Sequence, residues 1–210
     1  CEGLRRRGME SEVRNRTGLV IDPYFSGTKI RWLLDNVRGL RAKVQAGSIC
    51  FGTIDSWLLW NLTGGIHATD FTNASRTLLY NIRRKNWDSG LMRIFGIPGR
   101  LRLPEVRNSA DSFGETRAGA GLPPGIPIAG MCGDQQAALF GHGATTAGEI
   151  KNTYGTGCFL MLHAGGKFVS GKNGLLTTLA CDEAGRPAYA LEGSIFVAGA
   201  AIQWLRAGLK

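Results

Sequence analysis

Gly130-Met131-Cys132-Gly133-Asp134-Gln135-Gln136-Ala137-Ala138-Leu139-Phe140-Gly141 is the stretch on which the reading of this chain turns. Ile126, Ile128 and Met131 form an apolar, β-compatible run before it, and Gln135 to Phe140 form a helical segment rich in small residues. One carboxylate, Asp134, stands at the strand-to-helix joint. In an open α/β sheet, a side chain at the carboxyl end of a strand faces the crevice where ligands bind. A helix N-terminus stabilises negative charge in the same place. Asp is also among the best N-cap residues. The stretch alone is compatible with both readings, a helix cap and a reacting carboxylate.

Downstream, Gly141-His142-Gly143-Ala144 is small and flexible enough to serve as a hinge. The pattern then changes to β: Gly148 to Tyr154 and Cys158 to Leu162 flank Gly155-Thr156-Gly157. Such a tripeptide between two strand-like runs is a hairpin signal. Its glycines would also let backbone amides approach a phosphate, with the Thr156 hydroxyl as a further donor. Runs at 174–181 and 186–192 predict a β-meander, and residues 193–210 begin a helix in which Gly199 permits close packing.

Upstream, residues 2–13 read as a basic helix and 18–29 as an apolar segment closed by a turn at Pro23. From Lys29 onward, Ile30, Leu33, Leu34, Val37 and Leu40 fall at helical spacing and predict one buried face, with Trp32 on it or at its edge. Ile49-Cys50-Phe51 predicts a short strand. Asp55 or Ser56 can cap the helix that follows, whose Trp57 and Trp60 are expected in the core because large aromatics dominate core burial. The polar run Thr69 to Arg76 suits local turns or a cleft lining, turns being the simpler reading. Residues 83–125, with their basic clusters, Pro98, Pro104 and several glycines, read as surface excursions.

Composition bounds the function classes. The chain has 210 residues, 43% of them hydrophobic, enough for one large or two small domains with a real core. A net charge of +9 raises the question of a nucleic-acid partner. Arg5-Arg6-Arg7 and Arg83-Arg84-Lys85 are not interleaved with stacking aromatics, so no nucleic acid is expected, and attraction of phosphorylated small molecules is the simpler use of the charge. The five cysteines are scattered and odd in number, which suits reduced thiols in a cytoplasmic protein. His67, His142 and His163 show no metal-ligand spacing. The longest apolar run, around Ile195 to Ile202, is too short for a membrane span. The chain opens on Cys1 and stops inside a helix-like stretch, so a longer natural protein is expected.

Taken together, these motifs resemble the FGGY carbohydrate kinases. The resemblance is carried by Tyr24-Phe25-Ser26-Gly27-Thr28-Lys29-Ile30-Arg31-Trp32-Leu33-Leu34-Asp35-Asn36, by Gly133 to Gly141, and by Asn152-Thr153-Tyr154-Gly155-Thr156-Gly157-Cys158-Phe159. Asn173-Gly174-Leu175-Leu176-Thr177-Thr178 and Tyr189-Ala190-Leu191-Glu192-Gly193 continue it. It implies an α/β, ribonuclease-H-like (actin-type ATPase) fold, present in part, with two domains flanking a cleft. Residues 1–142 would be the C-terminal part of the first kinase domain, on the substrate side. Residues 143–210 would be the truncated N-terminal part of the second, on the nucleotide side.

The implied activity is ATP-dependent phosphorylation of glycerol to glycerol 3-phosphate by a full-length, homo-oligomeric parent, with Mg²⁺ held mainly through ATP and near Asp134. By resemblance, Asp134 is the general base, and Tyr24 and Gln135 hydrogen-bond glycerol while Phe159 walls its pocket. Gly155 and Thr156 contact phosphate, and Gly199 and Gln203 lie beside the nucleotide. The N-terminal phosphate hairpin, an Arg-Glu pair that grips glycerol and the adenine-binding segment of the family are absent from these residues, so the piece alone is expected to be inactive. Some bacterial members bind fructose 1,6-bisphosphate through a Gly-Arg loop, but Gly121-Leu122-Pro123-Pro124-Gly125 carries no Arg. The competing readings are a kinase of the same family acting on xylulose or gluconate, and a non-catalytic actin-like scaffold.

Overall fold

The computed structural model describes residues 1–208 and divides into two compact units, Cys1–Cys132 and a second that begins at Gly133. The first unit runs α1 (Glu2–Arg6), α2 (Glu10–Thr17), α3 (Ser26–Asn36), α4 (Leu40–Gln45), α5 (Ile54–Thr63), β1 (Ala68–Asp70), α6 (Phe71–Ala74), β2 (Tyr80–Asn81), β3 (Asn86–Trp87), α7 (Ser89–Ile94) and β4 (Glu105–Arg107). Strand β1 pairs in parallel with β4, and β2 pairs antiparallel with β3. Large side chains fill the interior: Leu19, Ile21, Phe71, Leu78, Leu79, Ile82, Leu91, Phe95 and Phe113 are fully buried.

Several expectations for this unit change. The helix that begins at Ser26 stops at Asn36, where Val37 turns extended and Gly39 adopts φ 77° before α4 restarts the chain. Only Ile30 and Leu34 of the expected face are buried; Leu33, Val37 and Trp32 are exposed. Trp57 and Trp60 are likewise exposed, so α5 buries Ser56 and Leu59 instead. Thr53 is the N-cap of α5 without a side-chain cap bond, and the Asp55 carboxylate instead accepts from the Thr69 hydroxyl at 2.5 Å. The expected strand at Ile49 to Phe51 is reduced to a single bridge from Cys50 to Arg102, and the run before Asp134 to bridges at Pro127 and Gly130. Residues 83–125 are no mere surface excursion, since Leu91, Met92, Phe95, Ile97, Leu101 and Phe113 are core residues.

Thr69 to Arg76 forms a capped turn of helix rather than a cleft lining. Asp70 is the N-cap of α6, its carboxylate accepting from the backbone N–H groups of Thr72 and Asn73 at 3.1 and 3.0 Å. The Thr72 and Ser109 hydroxyls add donors at 2.6 and 2.7 Å. Burial still pushes the Asp70 carboxyl above the usual range, with these hydrogen bonds pulling the other way.

The second unit contains α8 (Asp134–Gly141), β5 (Ile150–Tyr154), β6 (Cys158–Gly165), β7 (Leu176–Cys181), β8 (Pro187–Ile195) and α9 (Gly199–Gly208). Its four strands are antiparallel in the order β5-β6-β8-β7. The expected meander is therefore incorrect at one step. Residues 166–175 carry the chain past the next position, and β8 returns through the Asp182–Arg186 turn to lie between β6 and β7. That turn is set by the Asp182 carboxylate, which accepts from the N–H groups of Ala184 and Arg186 at 3.0 and 2.9 Å. Helix α8 lies against one face of the sheet, where Leu139 packs with Ala144, Met161, Ala180 and Ala190. Among the described residues, no helix is long and apolar enough to cross a membrane.

Candidate active site

Asp134 is the first residue of α8, and the N-cap is Gly133, in extended conformation at φ −61°, ψ 146°. The Asp134 carboxylate accepts from the N–H of Gln135 at 2.7 Å, and the residue is exposed. Of the two readings open in the sequence, capping is thus not its position. The helix terminus still favours its negative charge.

Gln135 follows, half-buried, and its carboxamide oxygen Oε1 accepts from Lys151 Nζ at 2.5 Å. Lys151 lies on β5, is 2% exposed, and donates also to Thr153 Oγ1 at 2.8 Å. Alternate residues of a strand share a face. Lys151 stands opposite Met161, Met161 opposite Glu192, and Thr153 opposite Phe159. The face that packs against α8 therefore carries Lys151, Thr153, Phe159, Met161 and Glu192. Phe159 is half-buried on it. Burial lowers the Lys151 pKa, while the charges of Asp134 and Glu192 act in the opposite direction. Gln136, on the buried side of α8, donates to the Leu179 carbonyl at 3.2 Å and so ties the helix to β7.

The Gly155-Thr156-Gly157 turn joins β5 to β6 and is held by backbone contacts to the start of α9. The N–H of Gly199 donates to the Gly155 carbonyl at 3.0 Å, and that of Ala198 to the Thr156 carbonyl at 2.8 Å. A Cβ on Gly199 would come within 2.5 Å of the Gly155 carbonyl oxygen, closer than real side chains are found. Gln203 is four residues further along α9, on the same helical face as Gly199, and is exposed.

Tyr24 belongs to the first unit. It sits in the Asp22-Pro23-Tyr24 turn before α3, its N–H donating to Asp22 Oδ1 at 2.8 Å and its ring meeting Phe25 edge-on at 5.3 Å. Its side chain is 66% exposed. The second unit thus brings Asp134 and Gln135 onto the face bearing Phe159, and Gly155 and Thr156 against Gly199. Lys151 was missed in the sequence. The sequence carried no signal for it, because the apolar residues of β5, Ile150 and Tyr154, sit at the alternate positions and are the exposed ones. Among the described residues no three His, Cys, Asp or Glu side chains gather to hold a metal ion.

The chain belongs to the FGGY family of carbohydrate kinases: residues 1–141 match the family's N-terminal domain and residues 150–210 its C-terminal domain. Its mixed α/β architecture is that of the family's actin-like ATPase fold. It is 58% identical over 208 residues to the glycerol kinase of Haemophilus influenzae, a match covering 99% of this chain and 41% of that protein. The crystal structure of Plasmodium falciparum glycerol kinase with ADP superimposes with a TM-score of 0.91 at 38% identity, over 97% of this chain and 42% of that one. Xylulose kinase from Rhodospirillum rubrum shares the fold at a TM-score of 0.81 and 21% identity, over 99% of this chain and 42% of that one. The chain spans about two-fifths of the length of the relatives it matches.

Proposed function

We propose that the full-length protein carrying these residues transfers the γ-phosphate of ATP to glycerol, yielding glycerol 3-phosphate. The observation that carries this reading is the pair Asp134–Gln135 at the first turn of α8, within a chain 58% identical to a glycerol kinase. Phosphoryl transfer asks the protein for alignment and charge stabilisation rather than for a covalent intermediate. Asp134 accepts the proton of the attacking hydroxyl, a role that needs an ionised carboxylate within hydrogen-bond reach of it. Its exposed carboxylate at a helix N-terminus supports that role. Gln135 and Tyr24 hydrogen-bond glycerol and Phe159 walls the pocket. Hydrogen-bond partners placed for individual hydroxyls disfavour analogues lacking one.

Gly155 and Thr156 contact phosphate, and Gly199 and Gln203 lie beside the nucleotide. The docking of the turn against α9 supports a single phosphate- and nucleotide-binding unit. Asp134 would be the carboxylate beside a Mg²⁺ ion held through the phosphates of ATP, and the ion would supply neutralisation of phosphate charge. The boundary between the kinase domains falls near His142, so that residues 1–142 contribute to the first domain and 143–210 to the second. The full-length protein is a cytoplasmic homo-oligomer, and residues 1–210 alone are inactive. Uncovered apolar side chains at Ile195, Phe196, Val197, Ile202 and Trp204 support the view that further chain packs here.

The test is ADP formation by the full-length protein with glycerol, xylulose and gluconate. A kcat/KM for glycerol that exceeds the others by at least about a hundredfold is expected, since the longer carbon chains of xylulose and gluconate overfill a pocket sized for three carbons, where one methylene alone is worth roughly 10–200-fold. Equal values, or a preference for another acceptor, would remove the glycerol assignment. ATP turnover with none of them would favour a scaffold.

A further inference from the structure

Lys151 is a cation on a strand face that is otherwise packed, and a buried charge is costly unless hydrogen-bonded and paired. Its Nζ donates to Gln135 Oε1 at 2.5 Å and to Thr153 Oγ1 at 2.8 Å. Glu192 is buried on the same sheet face, one strand beyond Met161. Lysine has donors and no acceptor, so the Gln135 atom that meets it must be the carboxamide oxygen. That fixes the amide orientation: Nε2 with its two N–H groups occupies the other side. A glutamine held this way offers donors only.

We propose that Lys151 is a positioning residue of the acceptor site, locking the Gln135 carboxamide so that its N–H groups, and not its oxygen, meet the acceptor hydroxyl. The proposal rests on the functional reading above. A hydroxyl that receives a hydrogen bond through its oxygen keeps its own proton free to donate. The neighbouring carboxylate, Asp134, is an acceptor with no such donor of its own. Gln135 and Asp134, adjacent at the start of α8, thus form a donor–acceptor pair matched to an alcohol, and Lys151 sets the donor half. Without Lys151, the carboxamide can flip and present its oxygen to the same hydroxyl.

The experiment uses the full-length protein and the variants Lys151→Met, Gln135→Met and the double variant. Parental activity on glycerol is measured first; its absence overturns the functional reading and this proposal with it. With activity present, Lys151→Met is expected to raise the glycerol KM about tenfold, the effect of one lost hydrogen bond in a binding site. The ATP KM is expected to stay near its parental value. The double variant is expected to match Gln135→Met, because Lys151 acts through Gln135. Should Lys151→Met alone fail to fold, the double variant, in which both partners become apolar, keeps the comparison with Gln135→Met available. An unchanged glycerol KM in folded Lys151→Met overturns the proposal. So does an equal rise in the ATP KM, or a further several-fold loss when Lys151→Met is added to Gln135→Met.

Discussion

The interior of residues 1–132 packs large apolar side chains, Phe71, Phe95 and Phe113 fully buried among them, and the carboxylates it buries, Asp70 and Asp88, cap helices. The unit that begins at Gly133 packs Met161 and Leu139 among alanines and buries Lys151, Glu192, His163, Gln136, Thr177 and Thr178. It also leaves Phe196 and Trp204 outside, at 72% and 65% exposure. The difference teaches where stability and chemistry are separated. Close-packed apolar cores are intolerant of lost volume, whereas buried polar groups demand satisfied partners and constrain side-chain orientation. The buried carboxylates of the first unit hold its own helix ends, whereas in the second unit Lys151 holds Gln135 beside Asp134.

The largest effect that would sharpen this contrast is expected at Asp134. In the full-length protein, Asp134→Asn should lower kcat by about 10²–10⁴ through loss of the general base, with little change in the unfolding temperature. Initial-rate ADP formation measures the first and thermal unfolding the second. A near-parental kcat would detach Asp134 from proton transfer.

Next in size are core truncations. Phe113 packs with Leu59 and Ala68, and Phe113→Ala should destabilise the first unit by about 3–5 kcal/mol. Hydrogen exchange of backbone amides, followed by peptide, should show faster exchange across Leu59–Phe71 while peptides of β6 keep their protection. Equal acceleration in both units would break the comparison.

A smaller effect is expected at Gly199. A methyl there must displace the Gly155 carbonyl, whose oxygen would lie 2.5 Å away. Gly199→Ala should raise the ATP KM by roughly tenfold, in line with the ~1–3 kcal/mol of overpacking, and leave the glycerol KM near parental. Parallel changes in both constants would argue against a nucleotide role for the turn.

The smallest concerns acid stability in the first unit. Asp88 caps α7, accepting from Gly90 N–H at 2.8 Å, Asn81 Nδ2 at 2.8 Å and Arg16 Nη1 at 3.1 Å. Burial alone would raise its pKa; the hydrogen bonds from Asn81, Leu91 and Gly90 and the charge of Arg16 hold it below the usual carboxylate range. A depressed folded pKa means stability that is present above the unfolded value, about 4, and lost as pH falls through the folded value. Melting temperatures of Asp88→Asn should therefore fall less steeply than those of the parent below about pH 4. Identical slopes would exclude this linkage.

Local signals in the sequence were legible and distant ones were not. The helix after Asp134 and the Gly155-Thr156-Gly157 hairpin each depend on residues within a few positions, and both are present; the tight packing expected at Gly199 is present too, but its partner Gly155 lies far back in the chain and was not named. Helical spacing at Ile30 to Leu40 identified apolar positions but not which of them another element covers, so Leu33, Val37 and Trp32 were misplaced. The same gap placed Trp57 and Trp60 in the core. Strand order was set by the ten-residue connection from β6 to β7, whose route past β8 has no pattern in the residues. Lys151 illustrates the remainder of the site. Alternation in β5 would turn Ile150 and Tyr154 inward, yet these are exposed and Lys151 is buried, and its contact with Gln135, sixteen residues earlier, appears only when β5 is packed beneath α8.

The central claim, that these residues serve phosphoryl transfer from ATP to glycerol, is tested most directly by ³¹P NMR of the full-length protein with ATP, Mg²⁺ and glycerol. The account predicts loss of the γ-phosphate resonance of ATP with matching growth of a phosphomonoester at the position of glycerol 3-phosphate. A spectrum in which ATP persists with glycerol, or is consumed only when another polyol or sugar acid replaces it, would contradict it.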